Sequence, residues 1–394
     1  MSAHRAILLL VLALAAAVGP AVPDAAAGQR IETVNGVRVV HNDKAGRWGS
    51  EPKVGLELVR TIGGLEEKDP NLAFNAPYDV AVDSAGRIYV LDTGNNRIQK
   101  LGPDGAFLQT IGRPGQGPGD LQGPFSLDID EQDLLYVAEA RNLRLQILDP
   151  AGKLLRQVKF ETFGIFRVRR LPSGLIVRGG GLNLRALREK PKKLPALLDL
   201  IDLDGKVKKS FGEAMDYKDA LVNSTANNYE LDADGQGNIY ISFWHQNRVD
   251  KYALDGTPVW RADRPLNYGT EVIDKGFVRS DEKGTSIQSP QLNMVSMGVA
   301  ADAKGRVWVN TYNRQMAKEE QTMTMSVGGA TRRTQEGKIT RMDIHKLEVF
   351  DADGVLLGEI MLNHLAHGLR IFGDTLFVWE RNNAVFYQYK IVEK

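Results

Sequence analysis

Apolar and polar positions alternate along this chain in short runs, and the runs come in fours. Residues 77–112 read PYDVAVDSAGRIYVLDTGNNRIQKLGPDGAFLQTIG. The stretches 78–82, 87–91, 97–101 and 107–111 are rich in β-branched, aromatic and alternating apolar residues, which predicts four strands. Asp83-Ser84-Ala85-Gly86, the segment 92–96 and Pro103-Asp104-Gly105 carry turn chemistry: short polar side chains that bond nearby backbone, and glycine where positive φ is needed. Four short strands joined this way form an antiparallel meander. Such a sheet cannot bury both faces alone, so copies must stack on it.

Copies follow. Residues 124–160 repeat the unit nearly position for position, and later starts align at Phe166, Tyr229, Met297 and His367, opposite Tyr78 and Phe125. The second strands recur at 175–177, 238–241, 306–309 and 376–379. The third turn recurs as Leu203-Asp204-Gly205, Leu254-Asp255-Gly256 and Ala352-Asp353-Gly354. Six starts predict six blades. The last copy ends after its third strand, at 386–392, while residues 58–63 (LVRTIG) match the fourth strand of the first copy (FLQTIG). An N-terminal strand that completes the last blade closes the ring and removes an exposed edge. The expected fold is therefore all-β: a six-bladed β-propeller of four-stranded antiparallel blades, spanning 54–394 as one domain.

The segments Asp92-Thr93-Gly94-Asn95-Asn96-Arg97-Ile98 and Glu139-Ala140-Arg141-Asn142-Leu143-Arg144-Leu145, with a weaker third copy at His245–Val249, resemble the NHL-repeat six-bladed propellers. The resemblance covers residues 54–394. It departs from the family pattern where the usual His is Asn96, Leu143 or Asn247. It implies the fold and leaves the ligand open, because one fold hosts many functions.

Residues 1–27 read as a secretory signal: Arg5, a 13-residue apolar run at 6–18 too short to span a bilayer comfortably, and an A-x-A site before Gly28. The expected location is extracytoplasmic, periplasmic or secreted, with no transmembrane segment in the mature chain. Residues 28–53 contain a hairpin at 31–40 turned by Asn35-Gly36, then a lead-in. The chain has no cysteine, which excludes disulfides, thiolate metal sites and a lipidated cysteine anchor. A net charge of +1 implies no global attraction to nucleic acid or acidic lipid, and no nucleic-acid partner is expected. Locally the charge is uneven. Residues 153–210 hold 15 Lys/Arg against 5 Asp/Glu, a net of +10 that leaves −9 for the remainder.

In a propeller the first and third turns of each blade share one face; the interblade connections and the second turns share the other. Every long connection here falls in the second set: 64–76, 113–123, 213–227 and 263–295 between blades, 179–196 and 313–342 within them. Long structured loops in a compact fold tend to carry function. The 313–342 insertion should hold a hairpin, since Met323, Met325 and Val327 alternate before Gly328-Gly329. The 179–196 insertion carries Arg185, Arg188, Lys190, Lys192 and Lys193, a solvated basic edge or a contact for an anionic glycan, a phospholipid headgroup or an acidic protein.

Two further constellations stand out. Asp92 with Arg97, and Glu139 with Arg144, face each other across second turns; recurrence marks a structural clamp. Strand starts at the channel mouth place Asp79, Ser126, Arg167, Glu230, Gly298 and Gly368 in a ring, with His367 beside it. Asp79, Asn228 and Glu230 offer oxygen ligands that suit calcium, zinc is poorly supported, and no cofactor is expected. Of the five histidines beyond the leader, only His367 is assigned to a channel position. That set does not supply the axial histidine cluster of the peptide-amidating lyases, nor a Glu/Asn/Asp set placeable as in the calcium-dependent lactonases. There is no G-x-S-x-G, HExxH or phosphate loop. The expected function is a non-catalytic, monomeric binding or scaffold propeller whose long-loop face takes a protein, peptide or anionic glycan. The alternative is a metal-dependent, lactonase-like hydrolase or lyase at the channel mouth, using Asp79, Glu230 and His367.

Overall fold

The computed structural model describes residues 29–44, 46–160, 167–281, 284–321, 323–327, 331–335 and 337–394. The expected signal segment 1–27 and Phe166, the expected start of the third blade, lie outside the described residues. Six four-stranded antiparallel sheets form the ring. The first blade is built from Asp79–Val82, Ile88–Asp92, Arg97–Leu101 and Phe107–Ile111, each within a residue of its expected bounds. The other blades begin at Pro124, Arg167, Tyr229, Ser296 and Gly368. In each of the first five blades the third and fourth strands slip register at the same place, just before the tight third turn.

Ring closure is as expected, with a longer strand. Val54–Gly63 pairs antiparallel with Val385–Glu393, Ile62 opposite Phe386 and Leu58 opposite Tyr389. Packing confirms the ring. Six apolar clusters lie between successive blades, and the last joins Phe377, Trp379 and Phe386 of the sixth blade to Val80, Ile88, Val90 and Leu101 of the first. Each sheet thus buries both faces against its neighbours, which an isolated meander cannot do.

The first turn of four of the blades is fixed by an aspartate. Asp83 accepts from the Ala85 and Arg87 amides at 3.0 and 2.9 Å and from the Tyr89 hydroxyl at 2.9 Å. Asp130 with Tyr136, Asp234 with Tyr240 and Asp302 with Trp308 repeat the hydroxyl or indole contact at 2.9 Å. These turns stay short because side chain and backbone satisfy each other locally.

The N-terminal hairpin, Arg30–Val34 with Val37–His41, is turned by Asn35 and Gly36 at φ 51° and 80°, the two positive angles a type I′ turn requires. It is more than a lead-in. Its second strand pairs in parallel with Pro258–Asp263, Trp260 opposite Arg38, so the fourth blade becomes a six-stranded sheet. The long connections carry structure of their own. They contain helices at Leu184–Arg188 and Ala220–Ala226 that pack together, and hairpins at Phe277–Asp281/Gly284–Gln288 and Met323–Val327/Thr331–Gln335. The last is the hairpin expected from the methionine alternation.

Candidate functional site

The second turns show what the recurrent acid–arginine pairs do. Arg97 Nε donates to Asp92 at 2.7 Å, and its Nη2 donates to the carbonyls of Pro70 and Ala73 at 3.1 Å each. Arg144 donates to Glu139 at 2.5 Å and to the carbonyls of Gln116, Gly117 and Asp120 at 2.8, 3.1 and 2.7 Å. Each guanidinium ties its own turn to the incoming interblade connection, so the pairs are structural clamps. Arg248, with Phe243 at the acid position, lies over that ring at 4.7 Å and pairs with Asp250 instead. Glu380, with Ala384 at the arginine position, bonds Asn383, and burial raises its carboxyl.

The first strands line the axis in two layers. The upper layer contains Asp79, Arg167 and Glu230. The lower contains Asp128, Arg169, Asp232 and Arg370, each two residues further along its strand, where side chains return to the same face. Arg169 donates to Asp232 at 3.0 Å and to Asp79 at 3.3 Å; Arg370 reaches Asp128 at 3.0 Å and Asp79 at 3.4 Å. Burial opposes ionisation of Asp79, but Arg169, Arg370 and the Leu127 amide overcome it and hold the carboxyl below its ordinary value. For Asp128 burial wins, and its carboxyl is raised. The channel is therefore plugged by charged side chains, a layer beneath the mouth ring expected from the sequence; the two-residue strand period was the signal for it.

Above the plug lies a cavity of about 10 Å³, room for a single small atom group. It is lined by Tyr78, Asp79, Arg167, Glu230 and Trp379 over Gly298 and Gly368. A Cβ on Gly368 would sit 2.1 Å from the Trp379 ring, so glycine is required for that approach. Arg167 grips Glu230 with two bonds, 2.7 and 2.5 Å, and Trp244 donates to the same carboxylate at 2.9 Å.

Of the residues named from sequence, Asp79, Arg167 and Glu230 come together at this cavity. Ser126 lies in the plug, bonded to Arg169 at 3.0 Å. His367 stands at the rim, where its Nδ1 accepts from the Arg381 amide at 3.3 Å. Burial, with Arg381 nearby, lowers its pKa to about 3. Asn228 lies apart, its side chain against Gly181. His345 corrects the assignment of a single histidine to this region: its ring centroid is 6.4 Å from that of His367 and 4.4 Å from that of Tyr312. Sequence spacing missed it because it begins a third strand. Asp79 and Glu230, the oxygen donors considered for calcium, are both held by guanidiniums, which repel a cation. Among the described residues no group of three or more His, Asp or Glu is placed to hold a metal. The metal-dependent alternative thus gains no ligand set from this geometry.

Arg185, Arg188, Lys190, Lys192 and Lys193 are all exposed and make no ion pair among the described residues. Arg185 and Arg188 project from the short helix Leu184–Arg188, whose start is capped by Asn183. A groove of about 580 Å³ runs beside them, between Lys192, Lys193 and Leu194 on one side and Phe211, Gly212 and Glu213 on the other.

Ring, closing strand and axial channel define a six-bladed β-propeller. Residues 74–101, which hold the first three strands of the first blade, match the NHL repeat family model, in keeping with the resemblance carried by its second turn. No curated protein sequence matches the chain. Among solved structures it is similar to a Bacteroides vulgatus member of the DUF4221 family, at 12% identity and TM-score 0.54, covering 87% of this chain and 99% of that one. It is also similar to a Bacteroides fragilis protein presumed to be exported, at 11% identity and TM-score 0.56, covering 90% and 99%. A third is the PQQ-bound aldose sugar dehydrogenase of Streptomyces coelicolor, at 13% identity and TM-score 0.50, covering 87% and 100%. At these identities the likeness is one of fold alone. No helix among the described residues is long and apolar enough to cross a membrane.

Proposed function

We propose that this protein is an exported, non-catalytic binding module that grips an acidic protein, peptide or glycan with its long-connection face. The observation that carries this reading is the unpaired basic edge at Arg185, Arg188, Lys190, Lys192 and Lys193 beside a groove of about 580 Å³. Unpaired surface cations attract and orient an anionic partner, and the groove supplies apolar contact through Leu194, Pro195 and Phe211. A second groove of about 390 Å³ lies on the same face, where Met294, Tyr312 and Met316 meet the base of the blade-five insertion. The leader-like residues 1–27 and the presumed export of one structural neighbour support an extracytoplasmic setting. The clamped second turns support a rigid presenting surface.

The test uses the mature protein as bait for extracytoplasmic extract. Reversing Arg185, Arg188, Lys192 and Lys193 to glutamate should abolish capture of the partner, and deleting residues 317–338 should weaken it, with the ring intact by circular dichroism in both. Capture that survives both changes sinks the proposal.

A further inference from the structure

The channel mouth holds donors that the fold itself leaves unused. Arg167 is 5% exposed, and its Nη1 has no hydrogen-bond partner although Nε and Nη2 are bonded. Trp379 is likewise 5% exposed, lines the same cavity, and leaves its Nε1 unpartnered. Buried donors of this kind are costly unless something accepts from them. Beside them, Arg381 lies over the Tyr78 ring at 4.8 Å, the same separation as Arg167. The Arg381 guanidinium makes no hydrogen bond or ion pair with another described residue. His367 accepts from the Arg381 amide on Nδ1, so its neutral ring carries the proton on Nε2, as one more donor at the rim.

We infer that this mouth is a receptor for a single carboxylate group, one oxygen entering the cavity toward Arg167 Nη1 and Trp379 Nε1 and the other meeting Arg381 and His367 Nε2. Three observations select a carboxylate. A cavity of about 10 Å³ takes in one oxygen and leaves the rest of the acid outside it. Glu230, bonded to Arg167, disfavours a dianion. Arg381 keeps its planar donor edge open for the outer oxygen, while Arg167 offers Nη1 alone to the inner one. Tyr78, stacked edge-on to Phe125 with ring centroids 4.5 Å apart, gives the site an aromatic wall for the carbon skeleton that bears the acid. A peptide C-terminus and a uronic acid both carry this group. The inference rests on the long-connection face being the binding face, but it concerns residues distinct from the basic edge.

The experiment is calorimetric titration of the mature protein with tri-alanine and with tri-galacturonate, each against its neutral counterpart, the C-terminal amide or the methyl ester. At least one acid should bind, about tenfold or more tighter than its neutral form, and Arg381→Gln should remove that preference. Binding by tri-alanine alone assigns a peptide terminus, and by tri-galacturonate alone a glycan. The fourfold reversal at Arg185, Arg188, Lys192 and Lys193 should leave the titration unchanged, so loss of the basic-edge reading and loss of the mouth site are read separately. Because the Arg381 guanidinium makes no hydrogen bond or ion pair to another described residue and glutamine keeps a planar group over Tyr78, its variant should fold. Equal binding of acid and neutral forms, binding by neither acid, or an unaltered preference in Arg381→Gln would each overturn the inference.

Discussion

At the residue scale, arginine organises this molecule more than any other side chain. Arg144 satisfies Glu139 and three carbonyls of the incoming connection at once. Replacing Arg144 with alanine leaves Glu139 buried without its counter-ion, held only by the Gln122 amide, Asn142 and Gln146, and should cost about 3 kcal/mol in urea denaturation. A loss under about 1 kcal/mol would mean that the clamp is an ordinary surface pair. Histidine sets the acid limit. Burial is the leading cause that lowers His245, His345, His364 and His367, the last to about 3. Between that value and the ordinary 6.5 the unfolded chain binds protons that the folded chain does not. Stability must therefore fall as pH falls below 6.5, by about 1.4 kcal/mol per pH unit for each histidine involved. Asp79, Asp250 and Glu348, held below their ordinary values by arginines despite burial, add to the loss at lower pH, and Asp128, raised by burial, opposes it. Denaturation midpoints at pH 7.5, 6.0 and 5.0 check this, and a flat profile would contradict it.

At the element scale, strands and tight turns were legible in the sequence because each obeys local rules. Alternation set the strands, and Asp-x-x-Gly and Asn-Gly set the turns, with Ile88–Asp92 falling one residue from its expected bounds. What local rules do not carry is partner choice. Nothing in residues 31–40 announces a parallel pairing with Pro258–Asp263, which joins segments over 200 positions apart. Arg169 and Arg370 likewise looked like ordinary strand residues until the ring brought six strand starts to one axis. Arg381 sits in a second turn, where the repeat directs attention to the clamp acid and arginine, so its place over Tyr78 was not readable. Deleting residues 30–41 should uncover the edge of the fourth blade and part of the cluster containing Val40 and Trp260. The expected result is a lower unfolding midpoint and increased association by light scattering. An unchanged midpoint would show the hairpin to be an ornament.

At the scale of the whole molecule, the two faces differ in kind. One is made of tight aspartate-fixed turns. The other collects the long connections, both helices, the extra hairpins, the basic edge and the channel mouth, and arginine clamps hold those connections to the ring. The charged plug of Asp79, Asp128, Asp232, Arg169 and Arg370 closes the axis beneath, so a ligand at the mouth meets a floor and does not pass through. The account stands or falls on which face a bound partner covers. Hydrogen exchange of residues 28–394, with and without a captured partner, reads this directly. Slowed exchange confined to the connections 113–123, 179–197, 213–227 and 263–295 and the insertion 313–342 is the predicted result. Protection at the turns 83–87, 130–134, 234–238 and 302–306, with the long connections unaffected, would contradict it.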